Sequence, residues 1–154
     1  MENKKKEKTK IDIILPNYNS SRFIIKTIES ILRQTYKNWK LIIVDDFSDV
    51  ETREILKKIS KKKNIKVYFL NKNRGAGFCR NFAIKKSNSP YLAFIDSDDI
   101  WEKNKLKKQI NFMKKNKFDL THTSYNIIDF SGKKTGNRSA ENLDYNKLIR
   151  SCDI

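Results

Sequence analysis

From Ile11 onward the chain alternates between two rhythms of apolar residues: short runs of five or six, and runs in which apolar positions recur every three or four residues. Ile11 to Leu15 predicts a first strand. Ser20 or Ser21 then reads as the cap of a helix whose Ile24, Ile28, Ile31 and Leu32 share one stripe. Trp39 to Val44 predicts a second strand, nearly all apolar toward its end, as a strand covered on both faces should be. Ser48 with Glu51 has the form of a capping box for a helix carrying Ile55, Leu56 and Ile59. Ile65 to Leu70 is the third expected strand, Asn71 to Gly77 a turn, Phe78 to Lys86 a helix, and Ser87-Asn88-Ser89-Pro90 a loop into a fourth, buried strand, Tyr91 to Ile95. Leu106, Ile110 and Met113 mark the next helix. From Phe118 the rhythm changes: Phe118 to Phe130 is strand-like, Ser131-Gly132 a turn, and Leu143 to Ile154 begins another helix or loop.

This alternation predicts an α/β fold, a Rossmann-like, mostly parallel sheet with helices on both faces, joined by right-handed crossovers. Such sheets bind ligands outside the carboxyl ends of their strands. The polar residues agree: Asn17 and Tyr18 follow the first strand, Asp45 and Asp46 the second, Asn71 to Gly75 the third, and Asp96 to Asp99 the fourth. All four sets are expected along one edge of the sheet.

With 154 residues the chain suits one ordinary domain. Its 34 Lys and Arg against 18 Asp and Glu give a formal charge of +16, a field that favours polyanions: nucleic acid, an anionic membrane face or phosphorylated small molecules. The lysines fall in a polar N-terminal tail (residues 1–10, with Lys4-Lys5-Lys6), in Lys57-Lys58 and Lys61-Lys62-Lys63 after one helix, and between Lys103 and Lys117 along another. Each cluster can equally serve to solvate a helix face or its C-terminus. No zinc-finger spacing, RNA-binding signature or aromatic-interleaved basic motif accompanies them, which argues against nucleic acid. Cys79 and Cys152 stand alone, as expected of a reducing compartment. The polar N-terminus and the lack of any long apolar run predict a cytoplasmic chain, with its basic surface free to lie against the inner face of the plasma membrane.

Candidate chemistry concentrates at the strand ends. Asp96-Ser97-Asp98-Asp99 places carboxylates one residue apart on an extended segment, able to converge on a divalent metal and through it on a diphosphate. A strand-exit turn with Asp99 and Glu102 opening the next helix is the alternative. Asp45 and Asp46 can accept the ring N–H of a pyrimidine, or can simply form a turn, and Pro16-Asn17-Tyr18-Asn19 can set an aromatic face beside that base or merely link strand to helix. In Asn73-Arg74-Gly75-Ala76-Gly77-Phe78-Cys79-Arg80-Asn81 two glycines open a helix N-terminus that favours anions, and Arg80 lies one turn in, within reach of a phosphate or ribose. It lacks the third glycine of a dinucleotide fingerprint. His122, the single histidine, sits on a strand-like segment near the sheet edge, where a structural role is the commoner one.

These blocks resemble, in order, the motifs of inverting family 2 glycosyltransferases with the GT-A fold of nucleotide-diphospho-sugar transferases. Residues 13–19 look like the family's opening strand and P-x-Y-N turn, Ser30-Ile31-Leu32-Arg33-Gln34-Thr35-Tyr36 like S-I-L-x-Q-T-Y, and Val44-Asp45-Asp46-Phe47-Ser48 like V-D-D-x-S. Residues 73–81 are similar to N-x-G-x-x-x-A-R-N, with Cys79 for the usual Ala, and Asp96-Ser97-Asp98-Asp99 matches D-x-D-D. The resemblance implies that Pro16, Tyr18 and Asp46 hold the nucleobase, that Asp45 and Arg80 support the nucleotide, that Asp96 meets the ribose or sugar, and that Asp98, with Asp96 as second ligand, binds Mn²⁺ or Mg²⁺ on the diphosphate. It implies a nucleotide-sugar donor, most plausibly UDP-linked, and a glycan or lipid-linked acceptor in bacterial envelope polysaccharide synthesis. Residues 11–130 would form the donor domain, and 131–154 the start of an acceptor-side region that looks cut at Ile154. The family's general base lies beyond D-x-D. Asp129, Glu141, Asp144 and Asp153 fall in no matching motif, so no base is assigned. A catalytically silent nucleotide-sugar binding module is the competing expectation.

Overall fold

The computed structural model describes residues 9–140. The Lys4-Lys5-Lys6 cluster, Glu141, Asp144, Cys152, Asp153 and the element expected from Leu143 lie outside the described residues. The chain divides into two compact units, the first ending at Lys107 and the second beginning at Lys108.

The first unit is a parallel sheet of β1 (Ile11–Asn17), β2 (Trp39–Asp45), β3 (Ile65–Phe69) and β4 (Tyr91–Phe94), in the order β3-β2-β1-β4. Between the strands run α1 (Ile24–Leu32), α2 (Val50–Ile59) and α3 (Ala76–Lys85), and α4 (Lys105–Asn116) follows β4. β1 is paired along both edges, from Ile11 opposite Trp39 to Asn17 opposite Asp45 on one side, and from Ile11 opposite Tyr91 to Ile14 opposite Phe94 on the other. Ile14, Ile42 and Val44 point to one face of the pleat and pack with Cys79 and Ala83 of α3, closed by Tyr68, Leu70 and Phe82. Ile13, Leu15, Leu41 and Ile43 point to the other face and are fully buried. The chain steps outward from β1 to β3 and then crosses back to β4. Right-handed crossovers in opposite directions place α1 and α2 on one face and α3 on the other. The strand order therefore reverses at β1, and the crevice between the carboxyl ends of β1 and β4 is the switch point where such sheets bind ligands.

In the second unit β5 (Tyr125–Ile128) and β6 (Lys134–Arg138) form an antiparallel hairpin around the Ser131-Gly132 turn, with Gly132 at φ 87°. α4 ends in a left-handed Lys117 (φ 56°), with the Phe118 N–H donating to the Met113 carbonyl and the Phe118 ring against Phe112, the pattern of a Schellman cap.

Several expectations need correction. Ser20 does not cap α1 with its side chain: its hydroxyl donates to Asn17, while its carbonyl accepts from Phe23 and Ile24. The cap of α2 is Asp49, whose carboxylate accepts from the Thr52 N–H at 2.8 Å, because Ser48 is engaged by Asn17 and Asn19. α3 begins at Ala76, two residues before Phe78, so Gly77 is helical. β4 is an edge strand rather than a buried one, with Leu92 and Phe94 exposed. α4 opens at Lys105, so Asp99 and Glu102 precede it within a longer loop. Only residues 125–128 of the strand-like stretch are strand, and His122 is exposed outside it. Among the described residues no helix is long and apolar enough to cross a membrane.

The capping assignment has a direct check in urea denaturation. Asp49→Ala should lower the unfolding midpoint, and by more than Glu51→Ala, since the Thr52 amide donates to the Asp49 carboxylate.

Candidate functional site

The carboxyl ends of β1 and β2 are joined by a buried polar cluster. Asn17, directly opposite Asp45 in the sheet, donates its amide to the Asp45 carboxylate at 2.8 Å and to the Ser48 hydroxyl at 3.2 Å. The second Asp45 oxygen accepts from the Ser48 N–H at 3.3 Å and lies 3.9 Å from the Arg53 guanidinium. Ser48 also accepts from the Asn19 N–H, and Asn19 in turn accepts from the Asp49 N–H. Two residues here adopt left-handed backbone, Asn19 at φ 46° and Phe47 at φ 65°. Asn tolerates that region readily, whereas an aromatic residue is there at a cost that the surrounding hydrogen bonds must offset.

Asp46 holds the entry to α3. Its carboxylate oxygens accept from the backbone N–H groups of Arg74 and Gly75, both at 2.7 Å, and its carbonyl accepts from Asn73 at 3.4 Å. Gly75 sits at φ 83°, a conformation that explains why this motif needs glycine at its first Gly position. The Cys79 thiol lies buried one turn into α3, on the Asp46 side. Burial first, and then the Asp46 carboxylate, push its pKa up to about 12. The thiol therefore stays protonated and is a poor nucleophile.

A cleft of about 250 Å³ opens above this cluster at the switch point. Pro16, Tyr18 and Asp46 line it from the β1 and β2 ends, and Arg80, Asp96 and Asp98 from α3 and the loop after β4. Six of the seven expected site residues therefore converge. The seventh, Asp45, does not line the cleft; it is fully buried beneath and acts through Asn17 and Ser48. Tyr18 is half exposed at the rim. Arg80 donates to Asp96 at 2.6 Å, with both side chains substantially exposed. The loop also crowds three carboxylates together: burial, followed by the charges of Asp98 and Asp96, raises the pKa of Asp99.

Sequence reasoning gave no role to the side chains that seat this loop, although Ser30 and Gln34 stand in the S-I-L-x-Q-T-Y block. Thr27, Ser30 and Gln34 are buried and bond to its backbone. The signal was present as polar residues recurring every three or four positions within the apolar stripe of Ile24, Ile28 and Ile31. Asp129, in the second unit, is tied to its own turn, accepting from Ser131 and Lys133, and these bonds lower its pKa. It makes a poor proton acceptor.

Comparison with known proteins gives a consistent picture. A family profile described as Glycosyl transferase family 2 matches residues 12–153. An uncharacterized glycosyltransferase of Rickettsia bellii is 40% identical over 94% of this chain and 21% of its own length. The Escherichia coli UDP-Glc:alpha-D-GlcNAc-diphosphoundecaprenol beta-1,3-glucosyltransferase WfgD is 38% identical over 94% of this chain and 56% of its own. Among solved structures, Staphylococcus aureus TarS residues 1–349 in complex with UDP aligns over 70% of this chain and 32% of its own, with a TM-score of 0.65 and 34% identity. The chain thus spans about a fifth to just over half the length of these relatives.

Two measurements test the cluster. Asn17→Ala strips the buried Asp45 carboxylate of its amide donor and should cost about 2–3 kcal/mol in urea unfolding, well above an ordinary surface substitution. Peptide-resolved alkylation at pH 8 should label Cys79 far more slowly in the native chain than in the unfolded one, since the thiol is fully buried and its pKa is raised.

Proposed function

The chain belongs to glycosyltransferase family 2, and from that premise we propose that its cleft binds a nucleotide-diphospho-sugar, UDP-linked, for inverting, metal-assisted transfer to an acceptor hydroxyl in envelope polysaccharide synthesis. The observation that carries this reading is the convergence of Pro16, Tyr18, Asp46, Arg80, Asp96 and Asp98 on one cleft at the sheet's switch point. The cleft has two chemically distinct ends. At the first, the Tyr18 ring and Pro16 offer faces for a base, and Asp46 offers a carboxylate held rigidly by two backbone N–H groups. At the second, Arg80 offers a planar cation and Asp96 and Asp98 offer hard oxygens.

Those oxygens fit Mn²⁺ or Mg²⁺. Asp98, with Asp96, would hold the ion. Phosphate oxygens and water would complete its coordination, the usual arrangement for a cation bound together with its substrate. When bound, the metal neutralises charge on the leaving diphosphate without proton transfer. Arg80 supports that end by exchanging its Asp96 partner for a phosphate or ribose oxygen. Asp45 supports the nucleotide indirectly, by fixing Asn17 and Ser48 beneath it. Residues 11–130 carry donor binding in this reading, and the acceptor-side region begins from 131. The acceptor is a glycan or lipid-linked sugar, a reading supported by the name of WfgD. The basic surface would favour the anionic membrane face where such acceptors lie.

Thermal denaturation tests the assignment. UDP with Mn²⁺ at a hundredfold over Kd should stabilise the fold by about 2.7 kcal/mol, a rise in Tm of roughly 5–10 °C for a chain this size. Asp98→Ala should remove most of the rise. No shift in the wild type, or an undiminished one in Asp98→Ala, would refute the donor-site assignment.

A further inference from the structure

α1 and the two residues after it carry polar side chains that an amphipathic helix packed on a sheet has no need of. Thr27, Ser30 and Gln34 are each 0–1% exposed, and their hydrogen bonds run to the backbone of the loop between β4 and α4. The Thr27 hydroxyl donates to the Ser97 carbonyl at 2.9 Å. The Ser30 hydroxyl accepts from the Trp101 N–H at 3.1 Å and donates to the Thr27 carbonyl at 2.7 Å. The Gln34 amide uses both ends: its nitrogen donates to the Glu102 carbonyl at 2.8 Å, and its oxygen accepts from the Leu106 N–H at 3.1 Å. Just beyond, the Thr35 N–H donates to the Lys103 carbonyl and its hydroxyl to Asn104. The loop and the first turn of α4 are thus held, from Ser97 to Leu106, by one short segment of the first crossover.

The contact at Ser97 has the most direct consequence. Its carbonyl belongs to the planar peptide unit that ends at the Asp98 nitrogen, so fixing that oxygen fixes the plane from which the Asp98 side chain departs. We propose that Thr27 is a positioning residue for Asp98, backed by Ser30 and Gln34, and that this hydrogen-bonded row sets the affinity of the cleft for a divalent cation bound with a diphosphate. The inference rests on the nucleotide-sugar reading of the cleft and adds to it the side chains that determine how well its charged end works. Groups that orient a metal ligand typically matter ten- to a hundredfold in metal affinity, although they touch neither metal nor substrate.

Thr27→Val removes the hydroxyl while keeping the branched shape, and Thr27→Ser keeps the hydroxyl and removes the methyl group. UDP binding is measured by calorimetry in EDTA and across a Mn²⁺ titration, with far-UV circular dichroism on each variant. The expected result for Thr27→Val is a rise of about tenfold or more in the Mn²⁺ concentration that gives half the metal-dependent gain, with UDP binding in EDTA unchanged and wild-type behaviour restored in Thr27→Ser. An unchanged Mn²⁺ requirement in folded Thr27→Val overturns the inference, as does equal impairment in Thr27→Ser, which would assign the effect to packing. If Thr27→Val does not fold, Ser30→Ala carries the same expectation, and a wild-type Mn²⁺ requirement there overturns it. A wild-type chain that binds UDP without any response to Mn²⁺ would refute the metal assignment itself, and one that does not bind UDP would refute the reading of the cleft; the inference falls with either.

Discussion

The hydrogen bond from Asn17 to Asp45 is the joint on which the rest of the cleft depends. It ties the last residue of β1 to the last residue of β2 across the sheet, and it does so with a fully buried carboxylate. A buried charge must be met by donors or it is strongly destabilising. Asp45 receives the Asn17 amide and the Ser48 N–H, with the Arg53 guanidinium at 3.9 Å. Those donors are the segments that must turn away from the sheet: Asn17 opens the connection that carries Tyr18, and Ser48 closes the one that carries Asp46. Satisfying one carboxylate therefore sets the direction of both chain exits on that side of the crevice.

The two ends of the cleft differ in chemistry, one presenting an aromatic ring beside a fixed carboxylate and the other an exposed cation beside carboxylates. Around Asp46 two short backbone hydrogen bonds fix the carboxylate, and Cys79 adds a thiol that burial keeps protonated. Across the cleft the Arg80–Asp96 pair is exposed, and such pairs contribute little to stability. Its partners can therefore exchange on ligand binding at little energetic cost. Rigidity is supplied instead by the backbone beneath, where Thr27, Ser30 and Gln34 hold the loop that carries Asp96 and Asp98.

The places where the sequence was misread share a cause. Ser20, Ser48, Asp99 and Glu102 all have the local form of helix caps, and local spacing is all that a capping rule sees. In the fold, Ser20 and Ser48 are recruited by Asn17, a partner 3 residues away in one case and 31 in the other, which leaves Asp49 to cap α2. The start of α4 moves to Lys105 because the preceding residues bond to Ser30 and Gln34 instead of continuing a helix. β4 has an apolar sequence that reads as buried, yet it lies at the edge of the described sheet, a matter of strand order that apolarity alone cannot express.

The element types of the first unit and the edge on which the site would lie were legible without coordinates. Apolar rhythm sets strand against helix, and right-handed crossovers bring every strand's carboxyl end to the same side. The ordered blocks around Tyr18, Asp46, Arg80 and Asp98 were likewise sufficient to indicate the family. Only the tertiary structure decided which of the paired carboxylates faces the cleft and which is sealed below it, since Asp45 and Asp46 are adjacent and chemically identical and differ only in the side of the strand from which they project. It alone also gave Thr27, Ser30 and Gln34 a purpose, because their helical recurrence does not say which residues, some 70 positions away, they bond.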